Sequence, residues 1–282
     1  MEKDFVFDPC AFKGCIAEVE ATIGKLSDSE RKALLGDVFT CIDNTTLNGS
    51  DTQLSVEAFC RATREMRLAD AQKGHVASVC VYPCFVGVAK RELDNSGIKV
   101  ASVAGGFPAG QTPQRVKIEE VRYVVEEGAD EVDFVINRGN FLMGDTQAVF
   151  DEVAAAKEAC GNKALLKVII ETGELQTPDN IYKASMLALE AGADFVKTST
   201  GKISVGATPE AAYTMLTAVR NYIKISKKTV GFKAAGGISN PSDALIYYLL
   251  HKKILEEETA NSQNFRIGAS RLTTHLFDFL TK

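Results

Sequence analysis

Histidine is scarce in this sequence: three in 282 residues, at positions 75, 251 and 275, none at a metal-ligand spacing from another. A zinc site needs several imidazole, thiolate or carboxylate ligands converging on one point, so the pattern points to chemistry without a metal. Seven cysteines, at 10, 15, 41, 60, 80, 84 and 160, form no CxxC pair and no dense framework. An odd count spread this thinly reads as reduced thiols, most of them small buried apolar groups. No apolar run approaches the ~18 residues that a membrane span requires. Met1-Glu2-Lys3-Asp4-Phe5 lacks the basic and then apolar order of a signal peptide, so the expected compartment is the cytosol. Positive charge is also short, with 32 Lys+Arg against 37 Asp+Glu and a net charge of −5. That balance disfavours broad attraction to nucleic acid or anionic membrane, yet leaves room for a small basic pocket.

What is present is an alternation. Short β-rich runs are expected at 38–43, 76–82, 99–104, 131–136, 165–171, 194–198, 230–234 and 265–268, with longer amphipathic stretches between them. Near-continuous apolar character suits parallel strands covered on both faces. Thr112-Pro113, Thr177-Pro178, Thr208-Pro209 and Asn240-Pro241 each pair a capping side chain with proline at a first helical position. Gly128-Ala129-Asp130 and Gly192-Ala193-Asp194 repeat one helix exit into a strand. Eight strands, each followed by a helix, give a (β/α)8 TIM barrel with an N-terminal helical extension covering one end. An open doubly wound sheet is the alternative, but no GxGxxG follows the first strand. With no linker or composition break, the chain reads as a single domain, residues 1–36 forming the extension and 37–282 the barrel.

Barrel enzymes work at the C-terminal ends of their strands, and charged residues stand there among apolar neighbours. Asp43 and Cys80 belong to the first and second strands, Asp133 to the fourth, Lys167 to the fifth, Lys197 to the sixth and Lys233 to the seventh. Lysines at similar heights on neighbouring strands repel one another and lose solvation, which disfavours both ammonium forms. A free amine attacks carbonyl carbon, and an acid nearby, Asp133, can hold or relay protons. On this reasoning either lysine is eligible, and ion pairs such as Asp133 with Lys167 that merely fill the barrel remain open. Thr198-Ser199-Thr200-Gly201-Lys202, Gly236-Gly237 and Gly268-Ala269-Ser270 follow three successive strands. Three glycine turns suit a phosphate pocket. A Walker loop is excluded, because no glycine lies five residues before Gly201 and Ile203 stands where Ser or Thr is required.

Taken in order, Ile42-Asp43-Asn44-Thr45-Thr46-Leu47-Asn48, Val79-Cys80-Val81-Tyr82-Pro83, Glu131-Val132-Asp133, Leu165-Leu166-Lys167-Val168-Ile169-Ile170-Glu171-Thr172-Gly173-Glu174-Leu175, Phe195-Val196-Lys197-Thr198-Ser199-Thr200-Gly201-Lys202 and Gly231-Phe232-Lys233-Ala234-Ala235-Gly236-Gly237 resemble the deoxyribose-phosphate aldolase family. The resemblance implies a class I aldolase that cleaves 2-deoxyribose 5-phosphate to glyceraldehyde 3-phosphate and acetaldehyde, without cofactor. It implies Lys197 as the Schiff-base lysine, with Lys233 and Asp133 handling protons. It also implies that Asp43, Cys80, Lys167, Thr200 and Lys202 are substrate-binding, and that Gly201, Gly236, Gly237, Gly268 and Ser270 line the phosphate site. A homo-oligomer, commonly a dimer, is the implied assembly. The sequence departs from the family pattern in three places: Ala234 replaces a proline, Ser239 replaces an arginine after the glycine pair, and Arg271 replaces a serine. Arg271 is therefore expected to supply the phosphate-facing charge. The chain ends Phe279-Leu280-Thr281-Lys282, without the terminal tyrosine some members use. A transaldolase-like enzyme, or a sugar-phosphate sensor without turnover, would share much of this pattern.

Overall fold

The computed structural model describes residues 5–69, 74–256 and 260–282. Residues 1–4, part of the stretch read above as lacking a signal peptide, lie outside them. Eight parallel strands close in sequence order: β1 (Ile42–Thr45), β2 (Ser78–Val81), β3 (Lys99–Ala104), β4 (Glu131–Val135), β5 (Leu165–Ile169), β6 (Phe195–Lys197), β7 (Gly231–Ala235) and β8 (Phe265–Ala269), with β8 pairing back to β1. Two helices, α1 (Pro9–Lys25) and α2 (Asp28–Thr40), precede the barrel. The principal outer helices are α3 (Gln53–Glu65), α4 (Val86–Glu92), α5 (Gln114–Glu126), α7 (Thr146–Cys160), α9 (Pro178–Glu190), α10 (Pro209–Ser226), α11 (Pro241–Leu255) and α12 (Arg271–Thr281). Two short helices, α6 (Arg138–Leu142) and α8 (Thr172–Leu175), sit in the loops after β4 and β5. No helix among the described residues is long and apolar enough to cross a membrane.

The outward-facing strand residues, such as Val79, Val100, Val132, Val168 and Phe232, are buried under the helix ring and make up the main core. Helix starts follow the local chemistry. Thr177, Thr208 and Asn240 accept from the backbone N–H of Asn180, Ala211 and Asp243, each with proline next in line. Thr112-Pro113 does not follow the pattern: Pro113 is itself the N-cap residue and no side chain caps α5. The first strand also begins later than its apolar run suggests, because Val38 and Phe39 belong to the buried face of α2. An apolar run of this length fits a buried helix face as well as a strand.

The extension packs chiefly against the last outer helices, and the C-terminal end of α2 reaches the N-terminal end of the barrel through Asp37 and Thr40. Helix α1 packs on α10 and α11, and α2 packs on α11 and α12. The N-terminal end of the barrel holds a cavity of about 680 Å³, whose lining includes Asp37, Lys99, Glu131 and Arg266.

Candidate active site

Side chains alternate along a strand, so every second residue enters the barrel. The residue pairs facing each other across the strands include Asp133 with Lys167, Lys197 with Lys233, and Lys233 with Arg266. Three cations thus lie side by side on β6, β7 and β8, an arrangement that demands carboxylates from the opposite wall. Asp43, Asp133 and Glu131 provide them. Lys197 Nζ donates to Asp133 Oδ2 at 2.6 Å, and Lys233 Nζ reaches the same oxygen at 2.7 Å. Lys233 also holds Asp43 Oδ2 at 2.5 Å. Lys167 contacts three carboxylates, Glu131 at 2.5 Å, Asp133 at 3.0 Å and Asp43 at 3.1 Å. Arg266 clasps Glu131 with both terminal nitrogens, at 2.6 and 3.0 Å, and reaches Asp43 Oδ1 at 2.6 Å.

These partner counts separate the lysines. Burial alone would lower Lys167 and Lys233. The carboxylates outweigh it, Asp133 and Asp43 for both and Glu131 for Lys167, so both are raised above the ordinary lysine value. Lys197 is lowered: burial disfavours its ammonium form, Asp133 opposes the shift, and Lys233 reinforces it. The expected loss of proton affinity thus falls on Lys197 alone. Burial works to raise both Asp133 and Asp43, but the surrounding cations hold each well below the usual carboxylate range.

Above the cluster lies a second cavity, of about 480 Å³, walled by the loops that follow β1, β6, β7 and β8. Lys197 lines it, as do Thr200, Gly201, Lys202, Gly236, Gly237, Gly268, Ser270 and Arg271. The phosphate-site residues expected from three separate loops are therefore brought together. Gly236 earns its place by geometry: its φ is +88°, and a Cβ there would stand 2.9 Å from the backbone of Gly206. Gly268 differs from expectation, because it lies within β8 and forms no turn. Its missing side chain makes room for Lys233 Cε, 3.1 Å from where a Cβ would be. Ser270 stands before α12 with no side-chain cap, which presents the start of that helix to the cavity.

Asp43, Cys80 and Lys167, expected to bind substrate, are fully buried. Asp43 and Lys167 are consumed by the ion pairs beneath the cavity. Cys80 packs with Leu47, Ala101 and Val103 on the apolar inner wall. Its thiol is pushed up to about 11, chiefly by burial and then by Asp133, so it is a neutral group at neutral pH. Lys202 donates its ammonium to the Leu47 carbonyl across the cavity mouth.

Three charged residues escaped the sequence reading. Glu131 and Arg266 complete the cluster, and the rule that singled out the lysines, a charge among apolar strand residues, applies equally to Arg266 in Phe265-Arg266-Ile267. Glu171 is the third, a buried carboxylate just past β5 with φ of +56°. It accepts from the Thr200 hydroxyl at 2.5 Å and backbone N–H at 3.2 Å, and burial raises its pKa. Its left-handed backbone conformation is the kind found at constrained functional turns.

The fold and site define a closed (β/α)8 barrel with a lysine at the wall of a glycine-lined cavity, the architecture of an aldolase. The chain belongs to the DeoC/LacD aldolase family, whose model matches residues 38–270. It is 47% identical over 243 residues to the deoxyribose-phosphate aldolase of Bos taurus, covering 83% of this chain and 76% of that protein. Identity to the Homo sapiens deoxyribose-phosphate aldolase is 46% over 247 residues, covering 84% and 77%. Among solved structures, the tetrameric deoxyribose phosphate aldolase of Aeropyrum pernix superposes with a TM-score of 0.69 at 25% identity, covering 91% of this chain and 99% of that one.

Proposed function

We propose that this protein is a class I aldolase that reversibly cleaves 2-deoxyribose 5-phosphate to glyceraldehyde 3-phosphate and acetaldehyde, with Lys197 as the amine. The observation that carries the choice of residue is access. Lys197 reaches the cavity wall, whereas Lys233 and Lys167 are fully buried, and of these three it is Lys197 whose ammonium form is disfavoured. Family membership and relatives named for this substrate support the reaction.

In the cleavage direction, the Lys197 amine attacks C1 of the open-chain sugar and loss of water gives an imine. A base removes the C3 hydroxyl proton, the C2–C3 bond breaks, and its electrons pass into the imine, releasing glyceraldehyde 3-phosphate. The remaining enamine gains a proton at its terminal carbon, and hydrolysis frees acetaldehyde and the amine. Asp133 Oδ2, shared by Lys197 and Lys233, is placed to pass protons between the two nitrogens. Gly201, Gly236, Gly237, Ser270 and Arg271 would hold the phosphate, and Thr200 and Lys202 the sugar end, with Glu171 fixing the Thr200 hydroxyl. Asp43 and Lys167 support the charges of Lys233 and Asp133 from below.

We further propose one catalytic domain comprising the barrel from residue 37 with residues 1–36 as an extension, a cytosolic location, in keeping with seven free thiols, and a homodimeric assembly. The test of the mechanism is to incubate the protein with acetaldehyde, reduce with borohydride and map the added mass. The adduct is expected on Lys197 and should vanish in Lys197→Met. An adduct on Lys233, or none, overturns the assignment.

A further inference from the structure

Lys167, Lys197, Lys233 and Arg266 are opposed by Asp43, Glu131 and Asp133, so the buried cluster holds four potential cations against three carboxylates. A surplus charge in so dry an interior is costly, and the cluster sheds it when one cation loses its proton. Arg266 cannot be that cation, because a guanidinium stays protonated in proteins. Its other contacts lock it further: Nε donates to the Ser262 carbonyl at 2.6 Å, and the guanidinium lies 5.7 Å from the centre of the Phe195 ring. Lys167 has three carboxylate partners and Lys233 has two. Lys197 has one, and shares its oxygen with Lys233.

We propose that Arg266, clasped to Glu131 at the foot of the barrel, is a positioning residue for the reaction: its permanent charge creates the surplus that Lys197 relieves by standing as a free amine. This rests on the assignment of Lys197 as the nucleophile. Arg266 touches neither Lys197 nor the upper cavity; it acts through Asp43, whose other oxygen is held by Lys167 and Lys233. The charged and titratable groups around Lys197 are Asp133 from β4, Lys167 from β5, Lys233 from β7 and Cys80 from β2, with Asp43 and Glu131 one contact further out and Arg266 beyond them. Of these, Lys167 and Lys233 are held charged by their carboxylates, whereas the charge of Arg266 is intrinsic to its guanidinium.

Arg266 and Lys197 stand two strands apart, roughly 10 Å at the usual strand spacing. A unit charge at that distance, at an effective dielectric near 20, shifts a neighbour by about one pH unit. The experiment is the pH profile of kcat/KM for 2-deoxyribose 5-phosphate, whose acid limb reports the free enzyme, paired with borohydride trapping of acetaldehyde. Arg266→Met leaves three cations against three carboxylates, so Lys197 should keep its proton and the limb should move about one unit towards higher pH. Arg266→Lys restores the charge and should bring the limb back. Glu131→Gln removes an anion and should move the limb the other way, towards lower pH. A folded Arg266→Met with the native limb, or an Arg266→Lys displaced as far as the methionine variant, overturns the proposal. Should Arg266→Met fail to fold, Glu131→Gln, close to the native side chain in shape, decides the matter: a limb that stays put sinks the idea. Trapping at Lys197 in every variant with unmoved limbs would remove only this inference. Failure of the native protein to trap at Lys197 would instead remove the proposed function on which it rests.

Discussion

Lys197 and Lys233 are neighbours across two strands and bond the same carboxylate oxygen, yet their proton affinities move in opposite directions. The difference is Asp43, which touches Lys233 and not Lys197. Mutual repulsion, the reason for suspecting both lysines in the sequence, is real for Lys197 and is overridden at Lys233 by a second carboxylate. Which lysine would be relieved in this way was not legible in the sequence, since Asp43 and Lys233 are 190 positions apart. At the same scale, Arg271 faces the cavity from the start of α12 while Ser239 lines it from the loop after β7. If Arg271 carries the phosphate-facing charge, Arg271→Ala should raise KM for 2-deoxyribose 5-phosphate about 10- to 100-fold, the equivalent of ~1.5–3 kcal/mol for a charge-assisted hydrogen bond. The value for unphosphorylated 2-deoxyribose should barely change. Equal losses for both substrates, or none, would count against the assignment.

At the scale of elements, β6 and β7 depend on an exchange of volume. Gly231 has no side chain where the Phe195 ring lies, and a Cβ there would stand 2.2 Å from a ring carbon. The ring in turn sits against the Arg266 guanidinium. Gly231→Ala must therefore displace Phe195 or spread the strands, at a cost of about 1–3 kcal/mol for overpacking. Calorimetry should show a melting temperature lower by roughly 2–10 °C for a chain of this size; an unchanged value would mean that the barrel yields here. The strand order and three of the four proline-led helix starts were readable because they rest on local chemistry, a cap and a proline side by side. Thr112-Pro113 failed because nothing in that pair dictates where the first helical residue falls, and residues 38–40 failed because a short apolar run fits either kind of element.

For the whole molecule, the cluster links stability to pH. Asp43 and Asp133 have folded values well below their ordinary ones. Their contribution is fully present above the unfolded carboxylate value of about 3.9 and is lost as pH falls through the folded values. The urea midpoint should accordingly change little between pH 7 and 5 on their account, and fall steeply below about pH 4. A midpoint held constant down to pH 3 would contradict the ion-pair arrangement. Lys197 shifts stability with pH in the same direction, but in a higher window. Its folded value lies below its unfolded one, so the folded state binds fewer protons between the two and its stability rises with pH across that window. At neutral pH the same lowered affinity that prepares an amine for attack therefore weakens the fold.

The sequence by itself determined the eightfold alternation, the helix caps, and the placing of single charges among apolar strand residues, because each depends on neighbours a few positions away. Through its motifs it also pointed to the family and to Lys197. Only the closed barrel decided how the charges divide, bringing Asp43, Glu131 and Arg266 from distant strands into one dry interior. There the partners of each cation could be counted, and Lys197 was left with a single shared carboxylate oxygen at the wall of the cavity. Burial makes that count matter: in water the same charges would be screened, and the lysines would differ little.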